Sequence, residues 1–470
     1  MTKTMKKLFG TDGMRGEAGR FPLDAATVRA AGRSLARQLS ERLGRAPHVL
    51  TGRDTRESGA WIEGAFLAGA RDAGATVRSA GVITTPGVAY LARTLPADAG
   101  VVISASHNPF HDNGIKIFAP TGRKLDDATE RLIEADIYAE RGPEGEAGAA
   151  GAGDVESADA ADDGPRSAEL RALYLDYLCG EVAGGLDLEG LSVVADCANG
   201  AASELAPALL ARLGARVIPT NDSPDGRNIN HDCGSLHTEH LCRRVVEEGA
   251  HFGVAFDGDA DRALFVDARG RLVDGDATLW VLAKRMQERG ELTGGRVVAT
   301  VMSNLGLELA LRSRGIGLLR ADVGDKYVLE ELLRTDSTLG GEQSGHIIFP
   351  RLSLAGDGMT TTVNLLRAVV EAGRPLDELT EGFRRYPQVL VNVRVREKVP
   401  FEEVAEVARE MSAVRERLGD AGRLLLRYSG TEPLARVMIE GQSQEEIDAL
   451  AEGLAGAIRR SIGEGSVAAS

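Results

Sequence analysis

The sequence predicts an α/β protein: three mixed-sheet α/β domains of similar topology followed by a smaller C-terminal α+β domain. Three observations carry this. The chain has 470 residues, too many for one ordinary hydrophobic core. One rhythm of apolar strand, polar loop and amphipathic helix recurs three times, as in layered α/β structures. After Pro387 the rhythm changes to strand, helix, strands and a final helix.

In the first segment His48–Gly52 reads as a strand, Ala60–Ala73 as a helix, and Thr76–Ala80 and Gly100–Ile103 as further strands. The second offers a strand at Ser192–Ala195, a helix at Ala201–Leu213 and a strand at Phe252–Phe256. The third offers Val297–Val301, a helix from Asn304 to Arg314, then Gly317–Arg320 and Gly340–Glu342. In the last, Val389–Val395 is a strand, Phe401–Met411 a helix, Ala435–Ile439 a strand and Gln444–Arg460 a helix. Gly142–Pro165 is rich in Gly, Ala and Asp and lacks large apolar residues, so it reads as an exposed connection. These changes set the expected domains at 1–165 (with 142–165 as the connection), 166–267, 268–385 and 386–470.

Composition narrows the function classes. Apolar residues make up 43% and charged residues 27%, as in globular proteins without membrane spans. No apolar run reaches membrane-spanning length. The basic Met1–Leu8 stretch has no apolar region after it, so it does not read as a signal peptide. Cys179, Cys197, Cys233 and Cys242 lack CxxC spacing and read as reduced thiols of a cytoplasmic protein rather than zinc ligands. A net charge of −15 argues against a nucleic-acid partner. It leaves room for a small anionic substrate, because charges beyond ~8–10 Å are largely screened.

Each polar loop of interest follows the end of a strand, where open α/β sheets bind ligands. Ser104-Ala105-Ser106-His107-Asn108-Pro109 follows Val101–Ile103. Pro109 restricts Asn108 to extended or turn geometry, so the loop does not roll into a helix. Taken alone, it is either an ordinary Ser/Asn-rich turn or a serine nucleophile awaiting an activating partner. The second loop is Asp257-Gly258-Asp259-Ala260-Asp261-Arg262. Three carboxylates at alternate positions repel one another without a cation, and hard oxygen ligands suit Mg²⁺ or Ca²⁺; the alternative is a solvated acidic turn. An EF-hand is excluded, since Arg262 stands where glycine is required and Ala268 where the last ligand would be. A divalent ion beside a serine would serve phosphoryl transfer, which needs positioning and charge neutralisation. Arg262 could add a charge-assisted hydrogen bond. No GxxxxGK[ST] stretch occurs, which disfavours a P-loop enzyme.

Five motifs in order, Phe9–Gly16 (FGTDGMRG), Ser104–Lys116 (SASHNPFHDNGIK), Asp257–Arg262 (DGDADR), Gly341–His346 (GEQSGH) and Arg427–Pro433 (RYSGTEP), resemble the α-D-phosphohexomutase superfamily and, within it, the bacterial phosphoglucosamine mutases. The match spans nearly the whole chain. Its departures are a long Gly142–Pro165 stretch, Ala260 where the family often has Gly, and Lys326 where many relatives carry Arg. The resemblance implies four domains around a central cleft, the last a mobile lid. It implies phosphorylation of Ser106, not Ser104. It implies one Mg²⁺ held by Asp257, Asp259, Asp261 and the Ser106 phosphate. The implied reaction converts glucosamine 6-phosphate to glucosamine 1-phosphate by way of glucosamine 1,6-bisphosphate, toward UDP-N-acetylglucosamine.

The remaining loops divide the expected work. Arg427, Ser429, Gly430 and Thr431, with Arg436, form a set able to grip a phosphate by fork and nest geometry. Glu342, Ser344 and His346 are candidates for sugar contacts, with Lys326 beside them, and Gln343 is the feature that favours a hexosamine by resemblance. Lys116 and Arg15 are the candidates for help at the transferring group. Lysine serves as a base only where its pKa is depressed, whereas arginine stays charged. His107 adjoins the serine and is expected chiefly to shape the loop. The expected partner is a hexosamine phosphate, the expected assembly a monomer or homodimer. A glucose or mannose phosphate mutase, a serine phosphatase and a sugar-phosphate sensor are the rival readings.

Overall fold

The computed structural model describes residues 7–10, 12–141, 164–429 and 432–464. Two compact units emerge, Met1–Thr300 with Ala321–Thr380, and Val301–Arg320 with Glu381–Ser470. None of the described helices is long and apolar enough to cross a membrane.

The first unit carries three sheets. The first has six strands in the order Phe9–Gly10, Gly13–Glu17, Asp112–Phe118, Ala99–Ile103, His48–Arg53 and Thr76–Val82. Its last three strands run parallel, while Asp112–Phe118 lies antiparallel to Ala99–Ile103. All five residues of Ala99–Ile103 are buried, as a central strand covered on both faces requires. Helix Ala25–Leu43 packs on helix Gly59–Asp72 at very close range. A Cβ on Gly69 would meet the Arg29 carbonyl oxygen at 1.9 Å, and one on Gly32 the Phe66 oxygen at 2.1 Å. Glycine at both crossings lets the backbones touch.

The second sheet runs Leu272–Val273, Ala263–Asp267, Phe252–Phe256, Ser192–Asp196, Arg216–Thr220. It therefore continues to Val273, past the 267/268 boundary expected from sequence, because Ala263–Asp267 pairs antiparallel with both Phe252–Phe256 and Leu272–Val273. In the third, Arg296–Thr300 runs parallel to Gly340–Gly341, which pairs antiparallel with Ile347–Ile348.

The expected connection Gly142–Pro165 lies outside the described residues up to position 163. Pro165 is already the first residue of helix Pro165–Tyr177, a position where its missing N–H costs nothing.

The second unit holds helix Leu305–Ser313, capped by the Asn304 side chain on Gly306 N–H, and a three-stranded antiparallel sheet. There Leu434–Glu440 lies between Gln388–Arg394 and Arg423–Tyr428. Helices Ala405–Leu418 and Gln444–Ile462 cover one face, burying Val407, Met411, Leu454 and Ile458 against Val437 and Ile439. A short 3₁₀ turn at Phe401–Glu403 replaces the expected start of the first helix, and all four cysteines are free.

Candidate active site

The serine and aspartate loops meet. Ser106 follows strand Ala99–Ile103, Asp257 follows Phe252–Phe256, and the Ser106 hydroxyl donates to Asp257 Oδ2 at 2.6 Å. Two residues adopt left-handed backbone there, Ser106 (φ 54°) and Ala260 (φ 55°). Ala260 thus takes the geometry that glycine meets at less cost. A Cβ on Gly258 would lie 2.6 Å from the Ser106 carbonyl oxygen, so the close approach of the two loops needs glycine at 258.

Asp257, Asp259 and Asp261 are buried and offer oxygens within 4.8 Å of one another. Oδ1 of Asp259 and Oδ1 of Asp261 are buried without a hydrogen-bond partner. Orphaned carboxylate oxygens in such a cluster cost several kcal/mol unless a cation completes them (of order 1–3 kcal/mol each at least). Burial, then the Asp261 and Asp259 charges, push the Asp257 carboxyl well above the usual carboxylate range. The donor set is all hard oxygen and fits a divalent ion of the Mg²⁺ or Ca²⁺ kind. Thr85 steadies the loop by donating its hydroxyl to Asp259 Oδ2 at 2.6 Å and its N–H to the Asp259 carbonyl.

Lys116 sits on strand Asp112–Phe118, a segment not expected to be a strand. Its Nζ lies 2.9 Å from Asp259 Oδ2, 3.1 Å from Asp12 Oδ2 and 3.5 Å from Asp261 Oδ2. Burial alone would lower its pKa, but the Asp12, Asp259 and Asp261 carboxylates outweigh that and hold it well above the usual lysine range. These contacts set the Lys116 ammonium directly against the aspartate loop.

His107 Nδ1 lies 3.3 Å from Ser106 Oγ. Burial first, then the Arg262 and Arg15 charges, lower its pKa to about 4, which leaves the ring neutral. Arg15 donates to the Ala105 carbonyl at 3.3 Å and pairs with Asp12. Arg262 N–H donates to Asp257 Oδ1 at 3.2 Å. The Nε groups of Arg15 and Arg262 are buried without a hydrogen-bond partner. Both guanidiniums line a cavity of about 480 Å³ with His107, Asp261, Glu342 and His346.

Glu342 accepts from Gly324 N–H at 3.1 Å and from the Ser344 hydroxyl at 3.2 Å. Gln343 reaches instead toward Asp274 Oδ2 at 3.4 Å. His346 lies between Asp261 (3.6 Å) and Asp325 (3.9 Å); burial opposes its charge, but these carboxylates raise its pKa to about 9. Lys326 lines an adjoining cavity of about 560 Å³, where its Nζ pairs with Asp127 at 2.6 Å.

Sequence reasoning missed a chain of buried charges behind these residues. Lys124 bridges Asp12 Oδ1 at 2.5 Å and Asp325 Oδ2 at 2.6 Å. With Lys116 and His346 it links the amino-terminal strands to the third sheet's helix Asp325–Arg334. Asp12 lay within the first motif; Lys124 and Asp325 had no local signal.

In the second unit Arg427 and Arg436 stand opposite each other on paired strands. Arg436 lies 3.5 Å from Glu432 Oε2. Arg436 also donates to the Ser429 hydroxyl at 3.4 Å and keeps a buried Nε without a hydrogen-bond partner. Gly430 and Thr431 lie outside the described residues.

The sequence matches four family descriptions in succession: phosphoglucomutase/phosphomannomutase α/β/α domain I over residues 6–143, domain II over 173–270, domain III over 274–386, and the C-terminal domain over 390–457. The phosphoglucosamine mutase of Solibacter usitatus is 50% identical over 465 residues, 98% of this chain and all of that one. That of Koribacter versatilis is 47% identical over 470 residues, covering 98% and 99%. Among solved structures, a phosphoglucomutase/phosphomannomutase family protein from Burkholderia thailandensis superposes with a TM-score of 0.77 at 23% identity, covering 96% and 97% of the two chains. The N-acetylphosphoglucosamine mutase of Aspergillus fumigatus, solved with GlcNAc-6P and magnesium, gives a TM-score of 0.63 at 19% identity, covering 96% and 95%.

Proposed function

This chain belongs to the phosphoglucomutase/phosphomannomutase family, and from that membership we propose how its site works. The chain interconverts glucosamine 6-phosphate and glucosamine 1-phosphate, in keeping with relatives named phosphoglucosamine mutase. Ser106 carries the phosphoryl group. The observation that supports this above all is the Ser106 hydroxyl set on Asp257 at 2.6 Å, among three buried carboxylates.

In the first transfer the sugar O1 attacks the phosphorus of phospho-Ser106. The O1–P bond forms as the P–Oγ bond breaks, and the O1 proton ends on Ser106 Oγ. The product is glucosamine 1,6-bisphosphate. After it turns end for end, Ser106 Oγ attacks the phosphorus on O6, the P–O6 bond breaks, and a proton passes to O6. Glucosamine 1-phosphate leaves.

Asp257, Asp259 and Asp261, with an oxygen of the Ser106 phosphate, would hold one Mg²⁺, which neutralises charge on the transferring oxygens. Lys116 sets its ammonium against Asp259 and Asp261 of the same loop, where it can offset charge at the transferring group. Arg15 and Arg262 present guanidiniums to the cavity and offset the phosphoryl charge. His107, with Nδ1 3.3 Å from Oγ, lies beside the transferring oxygen and shapes the loop that presents it. Glu342 and Ser344 take sugar hydroxyls or the C2 amino group, with His346 and Lys326 at the cavity walls. Arg427, Ser429, Gly430, Thr431 and Arg436 supply the donors for the phosphate that is not being transferred.

The test compares kcat/KM on glucosamine 6-phosphate and glucose 6-phosphate for wild type and Ser106→Ala. Preference for glucosamine 6-phosphate and loss of turnover in the variant are expected. Preference for glucose 6-phosphate, or normal turnover without the serine, would overturn the reading, and phosphate release in excess of isomer would indicate a phosphatase.

A further inference from the structure

We propose that Arg56 is a positioning residue for phosphoryl transfer, holding Ser106 against the aspartate loop by gathering the backbone carbonyls of the serine loop. The inference rests on Ser106 as the phosphoryl carrier.

Arg56 follows strand His48–Arg53 in Gly52-Arg53-Asp54-Thr55-Arg56. Its side chain and that of Asp54 are 0% exposed. A buried ion pair is costly unless its remaining donors are satisfied. A guanidinium has five N–H donors, and here each has an acceptor. Nε donates to Asp54 Oδ2 at 2.8 Å. Nη2 donates to the carbonyls of Ser106 at 3.0 Å and Asn108 at 2.8 Å. Nη1 donates to the carbonyl of Asp112 at 2.9 Å and to that of Pro109. Four of the five bonds thus fall on backbone carbonyls between Ser106 and the start of strand Asp112–Phe118.

That loop needs holding. Ser106 has left-handed backbone, which costs a side-chain-bearing residue roughly 1–2 kcal/mol. The same pair reaches Ser106 from its other side: Ser106 N–H donates to Ser104 Oγ at 2.9 Å, and Ser104 Oγ donates to Asp54 Oδ2 at 2.7 Å. Asn230 doubles the grip, its amide donating to the Ser106 carbonyl at 2.9 Å and the Asn108 carbonyl at 3.1 Å. Because its donors are spent on backbone, Arg56 offers none to substrate. It acts through Ser106. A lysine would keep the charge, but its three donors in tetrahedral array cannot span four carbonyls.

The experiment uses full-length Mg²⁺-loaded enzyme carrying ³²P on Ser106, mixed with glucosamine 6-phosphate in a single turnover. In Arg56→Lys the transfer rate should fall ~100-fold, the scale expected for a 1 Å misplacement. Substrate affinity should change less than about threefold, and label lost to water should rise relative to label on sugar. A merely structural role predicts less folded protein with a normal rate per labelled site. A folded Arg56→Lys enzyme transferring within about threefold of wild type overturns the proposal. Should that variant fail to fold, Asn230→Gly decides. It suits the left-handed backbone of position 230 (φ 57°) and removes both amide donors. A ~10-fold slower transfer at unchanged affinity supports the proposal, and an unchanged rate overturns it. Wild type that takes no label on Ser106 overturns the carrier reading and this inference together; labelled wild type beside an unimpaired Arg56→Lys overturns this inference alone.

Discussion

Replacing Gly258 with alanine probes the contact between the serine and aspartate loops without touching a charged group. The added Cβ would stand 2.6 Å from the Ser106 carbonyl oxygen, 2.8 Å from Asn230 Nδ2 and 2.8 Å from Ile229 Cδ1. Ordinary contact begins near 3.4 Å, so the Ser106 backbone must give by about 0.8 Å along that direction, the difference between the two figures. Arg56 and Asn230 fix the same carbonyl, so the loop has no slack to absorb the change. A displacement of this order at a reacting atom costs ~10²-fold in rate, about 2.7 kcal/mol of transition-state stabilisation. Overpacking also lowers stability by about 1–3 kcal/mol. Coupled assay of glucosamine 1-phosphate formation, normalised to folded enzyme by near-ultraviolet dichroism, separates the two effects. The expected result is kcat down ~100-fold with KM within about threefold. A folded Gly258→Ala enzyme with wild-type kcat would refute the claim that the two loops must meet at this spacing.

Other outcomes follow from the same geometry. Chelating divalent ions should abolish transfer, and Mg²⁺ at ~100 times its Kd should stabilise the protein by ~2.7 kcal/mol, read as a rise in melting temperature that Asp259→Asn reduces. Arg427→Ala should raise KM for glucosamine 6-phosphate at least ~10-fold, the loss of one charge-assisted bidentate contact, in steady-state kinetics. Burial and the neighbouring Asp127 charge raise the Glu130 carboxyl to about 7. Native protein then binds more protons than unfolded protein between roughly pH 4.5 and 7, so this group's contribution is present below about pH 4.5 and lost as pH rises through 7. Glu130→Gln should therefore stabilise the protein at pH 8, by about 1 kcal/mol after solvent screening, and leave it unchanged at about pH 4, as measured by urea unfolding.

What could be read from sequence was local. The Ser106 and Asp257–Asp261 loops announce themselves because their chemistry lies within six residues at the end of an apolar strand, and both sit where that pattern put them. Strand Asp112–Phe118 was hidden because it begins Asp-Asn-Gly, a turn-like opening. Helix Ala25–Leu43 buries Val28, Ala31, Leu35 and Leu39, but its alanines give weak apolar contrast. Lys116 was identifiable as important, but its surroundings were not, because the carboxylates around it arrive from positions 12, 259 and 261. Arg56 and Lys124 act through contacts across roughly 50 to 200 residues, and such contacts leave no periodicity or spacing to detect. The Gln343 amide turns toward Asp274 at the cap of helix Gly275–Glu288, a contact across 69 residues that its motif does not announce.

The most direct measurement follows the phosphoryl group itself. Enzyme labelled with ³²P and mapped to Ser106 is quenched within one turnover of unlabelled glucosamine 6-phosphate. The label should leave the serine and appear on O1 of the first glucosamine 1-phosphate released, while the enzyme acquires the substrate's unlabelled phosphate. Product formed with the label still on Ser106, or label recovered only as inorganic phosphate, would contradict it.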